Sequence, residues 1–330
     1  MQIRPKTLEI LSGLGEPDIL QSAQLLPGIV SPTETASGIF VRGGTPDQNL
    51  VLWDGIKLYN TDHFFGVFSA FNPYVVESLE VSRSVTIAKY GDRIAGVLDI
   101  KTSDKIPEKI QGGAGFNLNT LDAFITIPIS ANTSIQLSGR RSLTDIYDSP
   151  NFQNFSERVF QNTSVVRERE LLDSPLATTD ENIRFFDAHL KMNIKPSSND
   201  RLALAALASQ NQLDFRLNDP QFPEFSQDDF FTRNIGSSLS WHRQWQSKFS
   251  TTFSAYGSFF NLLYDGLRGD SESTIDRVAQ KTNTVEEIGF SVQADWYLNG
   301  LFNWGVGYQF FNSGIAYDLQ NDYFIEQGND

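Results

Sequence analysis

From about residue 109 to the end of the chain, apolar and polar residues alternate one by one. This period of two constrains the fold more than any other feature of the sequence. The clearest stretch is 186–195, FDAHLKMNIK. Phe186, Ala188, Leu190, Met192 and Ile194 fall on one face, and Asp187, His189, Lys191, Asn193 and Lys195 on the other. Segment 288–297 repeats the pattern, with Ile288, Phe290, Val292, Ala294 and Trp296 opposite Gly289, Ser291, Gln293, Asp295 and Tyr297. Ile235, Leu239 and Trp241 alternate with Gly236, Ser238, Ser240 and His242. Weaker alternation marks 121–127, 134–140, 202–209, 249–259 and 302–310, and 112–118 is the poorest of the nine strand candidates. Most are about ten residues long, and a tilted membrane-crossing strand needs ~9–11 where a globular strand averages ~5–6.

The connections add to this. Short ones fall at 130–133, 196–200, 244–248 and Asn299-Gly300, the last a type I′ hairpin pair. Long ones span 142–182, about 214–231 and about 265–284. Structureless loops of that length argue against a compact domain. In a membrane barrel they are expected, because one rim carries tight turns and the other long loops. Trp241, Trp245, Trp296, Tyr297, Phe302 and Trp304 crowd the short-turn ends, where an interfacial girdle would lie. A water-soluble β-sandwich or β-solenoid also alternates, but does not account for strand length, loop asymmetry and aromatic clustering together.

Composition narrows the function classes. The 330 residues carry 26 Lys and Arg against 40 Asp and Glu, a net charge of −14, which argues against phosphate-backbone binding. Without cysteine there is no disulfide, thiolate site or Cys nucleophile. His63, His189 and His242 are far apart in sequence, so no His-rich metal site is expected. No window approaches the ~18 apolar residues of a spanning helix. Gly13-Leu14-Gly15 does not extend to a phosphate loop, and no G-x-S-x-G elbow is present. The reading is of a non-enzyme with no cofactor.

The first hundred residues have a different texture. Residues 18–26 (DILQSAQLL) carry helical apolar spacing between Pro17 and Pro27-Gly28. Short strands are expected at 38–41, 50–53, 78–82 and 97–101. Four motifs then line up: GEPDILQSAQLLPGIVS (15–31), IFVRGGTPDQNLVLWDGIKLYN (39–60), HFFGVFSAFNP (63–73) and AKYGDRIAGVLDIKTSD (88–104). Together they resemble the plug domain of TonB-dependent outer-membrane receptors, over nearly all of residues 8–104 and in the family's order. The strand-rich remainder, including LSGRRS (137–142), is similar to the first part of the receptor barrel.

The resemblance implies a small α/β plug domain over 1–104, followed by antiparallel transmembrane β-barrel strands over 105–330. These are nine of an expected ~22, an incomplete barrel. Nine is odd and would leave an open edge in lipid, so the chain is expected to be the N-terminal part of a longer receptor. It opens almost directly on the plug motif, with no signal-peptide pattern or recognisable TonB box, so that Met1 reads as an internal start. Around Arg83 it reads SRSVTIAKYG, where the family commonly has a basic residue followed by glycine.

By the same resemblance, the receptor sits in the bacterial outer membrane and imports a scarce nutrient, most commonly a ferric siderophore or other metal chelate. Its partners are that substrate, outer-membrane lipid and the inner-membrane TonB complex. A non-transporting binding or signalling receptor and an oligosaccharide importer are the alternatives. Arg42 and Arg83 are expected as a plug–barrel lock paired with wall carboxylates, since a guanidinium stays charged and binds carboxylates bidentately. The bland alternative leaves Arg42 solvated beside a tight turn. Gly43, Gly44 and Gly91 are expected in plug turns. Tyr59, Asn60, His63 and Phe64, with Phe65 and Phe68, are expected in plug loops facing the substrate; alternatively Phe65, Phe68 and Phe71 pack inside the plug. The inward alternates Asp187, His189, Lys191, Lys195, Gln293 and Asp295 are expected chiefly to hydrate a polar lumen.

Overall fold

The computed structural model describes residues 2–3, 17–32, 36, 38–63, 66, 68–83, 89–117, 119–146, 178–219, 224–269, 275–299 and 302–321. The N-terminal unit holds β1 (Gln2–Ile3), α1 (Ile19–Ala23), β2 (Ile29–Val30), β3 (Phe40–Val41), β4 (Asn49–Trp53), β5 (Ile56–Leu58), β6 (Asp62–His63), β7 (Phe68–Ser69), β8 (Val76–Ser82) and β9 (Gly96–Thr102). Its main sheet has the order β1-β8-β9-β4-β5, with β4 parallel to β9 and the other pairs antiparallel. Asp18 caps α1: one carboxylate oxygen accepts from Gln21 N at 2.8 Å and the other from Ser69 N at 2.8 Å, which ties the helix to β7. Ile19, Leu20 and Ala23 thereby face Trp53, Ile56, Leu79, Leu98 and Ile100 in one core.

Asp54 and Gly55 join β4 to β5 with φ of 46° and 84°. Both central residues of a type I′ hairpin need positive φ, which Asp-Gly tolerates. The turn projects from the sheet, and the plug core does not stop there. Ala205 and Leu207 of the second unit belong to the same buried cluster.

That second unit is one antiparallel meander in strict chain order: β10 (Gln111–Phe116), β11 (Thr120–Ser130), β12 (Thr133–Ser142), β13 (Thr178–Ile194), β14 (Asp200–Asp219), β15 (Glu224–Gln246), β16 (Phe249–Gly269), β17 (Ile275–Asn299) and β18 (Phe302–Asn321). The nine strands fall where alternation places them, and the faces are as expected. Phe186 and Leu190 are exposed while Asp187, His189, Lys191 and Asn193 are buried against the plug. Among the described residues no helix is long and apolar enough to cross a membrane.

Strand length corrects the sequence reading. β13 to β18 run 17 to 25 residues rather than about ten. The connections expected at 214–231 and 265–284 are mostly strand: Asp214 pairs with Asp229, Asp229 with Asp265, and Asp265 with Gln280, with one register shift at Gly266/Leu267 in the last ladder. Above the apolar belt the outward face turns polar and in β14 the apolar residues, Leu213 and Phe215, pass to the buried inward face, so the apolar-outward pattern ends while the backbone hydrogen bonds continue. Residues 147–177, most of the third long connection, and the Gly300 position lie outside the described residues. Trp241, Trp245, Trp296, Tyr297, Phe302 and Trp304 are exposed at the short-turn rim.

Candidate functional site

The side chains that meet between the plug and the inward face of the meander form three polar clusters. The first surrounds the β4–β5 turn. Lys191 Nζ donates to Asp54 Oδ1 at 2.8 Å and to Thr102 O at 3.2 Å, and pairs with Asp104 at 2.7 Å. Thr102 donates to the same Asp54 carboxylate through its N–H at 3.0 Å and its hydroxyl at 2.6 Å. His189 Nε2 lies 3.2 Å from Asp54 Oδ2 without hydrogen-bond alignment. Burial opposes ionisation of Asp54, but Lys191 and His189 overcome it and hold the carboxyl well below the usual carboxylate range. Trp53, the preceding residue, stacks on Phe71 at 5.1 Å and meets His189 edge-on at 5.2 Å.

The second cluster surrounds His63, which is fully buried. Its Nδ1 lies 2.6 Å from Asn211 Oδ1, its Nε2 lies 3.3 Å from Asp187 Oδ2, and its ring stacks on Phe185 at 3.9 Å. The Asn211 amide is oriented by donating to Asp62 O at 3.1 Å and Thr232 Oγ1 at 3.0 Å. Arg140 completes the cluster, donating to Asp187 at 2.9 Å and to the plug carbonyl of Ser69 at 2.6 Å.

The third cluster is built on Glu287 of β17. Lys57 of β5 donates to both of its oxygens, at 3.0 and 2.8 Å, and also pairs with Asp92 of the plug. The hydroxyl of Tyr59 donates to Glu287 at 3.0 Å, and those of Tyr256 and Ser313 donate to it as well. Lys57 and Glu287 are both buried, so each satisfies the other in a place where an isolated charge would be costly.

The residues singled out by sequence are placed differently from one another. Arg42, at φ 51°, is exposed, its N–H bonded to Gly28 O at 2.9 Å. Arg83 donates to Pro27 O. Among the described residues neither arginine pairs with a wall carboxylate. Gly43 has φ 84° in open space, and Gly44 abuts Ala95 so closely that a Cβ would clash. Gly91 sits beside Gln309 of β18. Tyr59 and Asn60 line a cavity of about 360 Å³ with Asn211, Thr232, Phe260 and Asn283. His63 instead packs into the wall, Phe68 and Phe71 are buried in the plug, and Phe64 and Phe65 lie outside the described residues. Among the described residues no three His, Asp or Glu side chains converge on a cation position.

The inward alternates of β13 do more than hydrate a lumen: Asp187, His189 and Lys191 each grip a plug residue. Asp54, Lys57 and Glu287 were not foreseen. A lysine inside the apolar strand β5 was the available signal.

Residues 7–97 match the family model of the TonB-dependent receptor plug domain. Among solved structures, the open form of the ferric-catecholate import receptor Fiu from E. coli K12 is similar over 96% of this chain and 60% of its own, at 11% identity and a TM-score of 0.56. The ferric yersiniabactin uptake receptor FyuA from Yersinia pestis is similar over 90% of this chain and 57% of its own, at 13% identity and a TM-score of 0.53. The siderophore receptor PirA from Acinetobacter baumannii gives 96%, 57%, 13% and 0.48 in the same measures. At these identities the likeness is one of fold. No curated protein sequence matches the chain, and it spans less than two thirds of the length of these receptors.

Proposed function

We propose that the chain carries the plug and nine barrel strands of a TonB-dependent receptor, and that this receptor imports a scarce nutrient across the bacterial outer membrane, a ferric siderophore or another metal chelate, with work supplied by the TonB complex. Residues 1–104 form the plug and 105–330 the N-terminal portion of the barrel. The long-hairpin rim faces outward and the short-turn rim faces the periplasm. Tyr59 and Asn60 meet the substrate from below, while Arg42 and Arg83 are left to pair with carboxylates on strands beyond residue 330.

The observation that carries this reading is the way the plug is fastened. Asp54–Lys191 and Lys57–Glu287 are buried ion pairs between plug and wall. Such pairs hold position more surely than they add net stability, because desolvation offsets much of the attraction. A plug held this way is seated firmly at rest, and at these two places an applied pull would separate polar groups that water can solvate.

The test is growth of a strain lacking the receptor, complemented with the full-length gene, on limiting iron supplied as defined ferric chelates. Restored growth that needs intact TonB is expected. Wild-type growth of the deletion strain on every candidate nutrient at limiting concentration would sink the reading.

One observation favours an oligosaccharide as cargo instead. The cavity beside Tyr59 and Asn60 is lined by amides, hydroxyls, aromatic rings and the aliphatic Ile183, Leu213 and Leu262, with Asp62, and no Lys or Arg is among its described lining residues. Aromatic faces with amide tips suit a neutral polyhydroxylated ligand. Uptake of oligosaccharides in the same strains, with ferric chelates inert, would select that cargo.

A further inference from the structure

Along the inward face of β17, Asn283, Glu287 and Ser291 follow at intervals of four residues, about 13 Å apart at ~3.3 Å per residue. Asn283 lines the 360 Å³ cavity at the long-hairpin side. Ser291 lines a second cavity of about 240 Å³ nearer the short turns. Glu287 lies between them. The neighbouring strand repeats the order, with Phe260 in the first cavity, Ser258 bonded to the Lys57 carbonyl, and Ser254 in the second. The plug side matches, running from Tyr59 through Lys57 to Leu52.

The two sides of the plug differ in kind. Toward β12–β15 it makes close contacts, with His63 stacked on Phe185, Leu207 in its core and Ile56 hard against Gly236, and the two cavities touch this side through Asn211 and Thr232 in the first and Ala203 and Ser238 in the second. Toward β16–β18 the second cavity is lined by Ser254, Ala255, Ser291 and Gln309, small or flexible side chains, together with Tyr256 and Phe311. Between the two cavities stand Lys57, Glu287 and the tyrosines bonded to Glu287, with Tyr59 lining the first cavity and Lys57 and Tyr256 the second.

We infer that the passage through the receptor opens along β16–β17, between the two cavities, and that the Glu287–Lys57 pair is its gate. Tyr59, Tyr256 and Ser313 each spend their hydroxyl on Glu287, so losing that carboxylate frees three hydroxyls at once and leaves Lys57 to Asp92 alone. The packed side toward β12–β15 stays in place while the gate side parts. The direction of flow rests on the import reading, but the existence of the path does not.

The test uses the full-length receptor in planar lipid bilayers and needs no transported substrate. Glu287→Ala is expected to raise ion-conducting open time at least about tenfold over the parent. A negatively charged thiosulfonate should then block the current when Ser291→Cys is present and leave it unchanged with Ser209→Cys, a buried wall position on β14. Should Glu287→Ala fail to insert, Tyr59→Phe with Tyr256→Phe loosens the same carboxylate and is read in the same way. Unchanged conductance in inserted receptor overturns the inference. So does equal modification at both cysteines, which would mean that the plug leaves as a body. Failure of uptake with every nutrient, alongside the expected currents, would count against the import reading alone.

Discussion

Asp54 and Lys191 meet 2.8 Å apart across the boundary between plug and wall, from positions 137 residues apart in the chain. Both are buried, and the turn that presents Asp54 is rigid because Thr102 clamps the same carboxylate twice. The plug is thus indexed to one strand of the barrel by a single acidic turn residue. Removing one partner of such a pair leaves the other charge buried and uncompensated.

Asp54→Asn is therefore expected to cost about 3 kcal/mol of plug anchoring, at the lower end of the range for broken buried pairs because Lys191 keeps Asp104. Urea unfolding of the full-length receptor in bilayers, followed by Trp53 emission, measures this. A change under ~0.5 kcal/mol, the size of an ordinary surface substitution, would show that the pair does not hold the plug.

The same carboxylate sets an acid limit. Its folded-state pKa is depressed, so its contribution is fully present above the unfolded value of about 3.9 and is lost as pH falls through the folded value. Anchoring through Asp54 should be flat from pH 7 to about 4 and weaken below that. Subtracting the Asp54→Asn profile from the parent isolates this slope. A difference that instead declines between pH 7 and 5 would assign the effect to another group.

Period two encodes face directly, which is why FDAHLKMNIK sufficed to put Asp187, His189 and Lys191 on the plug side of β13. It is harder to follow once the outward face turns polar and the apolar residues, such as Leu213 and Phe215, shift to the inward face. That is how Asp214, Asp229 and Asp265 came to be read as loop. Glu287 fell one residue outside the recognised alternation of 288–297. Its partner Lys57 lies 230 residues away, a separation that leaves no local pattern. Arg42 drew attention as a charge beside two glycines, yet it sits exposed at a left-handed turn position. The cavity beside Tyr59 and Asn60 was legible only through those two residues, since apart from Asp62 its other walls come from β13 to β17.

The extended strands predict a height-dependent tolerance on the outer face. Val292 is exposed within the apolar belt, whereas Gln280 continues the same outward phase of β17 far above it. Val292→Arg should cost about 2–4 kcal/mol and Gln280→Arg about 0–1 kcal/mol, because a charge facing lipid is expensive only at depth. Reversible urea unfolding in phosphatidylcholine bilayers compares them. Equal costs would mean that the apolar belt is misplaced or that Gln280 also faces hydrocarbon.

The contact between Ile56 and Gly236 allows the packed side to be tested without touching an ionic group. A Cβ on Gly236 would collide with Ile56 Cγ2, so Gly236→Val should push the plug off β15 and cost about 1–3 kcal/mol. Adding Ile56→Ala should recover part of that, because the colliding methyl is gone. The same geometry suits a tether. The Cβ position of Gly236 lies 3.6 Å from Ile56 Cβ, inside the ~3.5–4.5 Å range of a disulfide. With no cysteine in these 330 residues to compete, Ile56→Cys with Gly236→Cys should oxidise readily. If this side stays packed while the passage opens elsewhere, the oxidised receptor keeps near-parental uptake, and reductant changes little. Uptake abolished by oxidation and restored by reductant would show that β5 must part from β15 during transport.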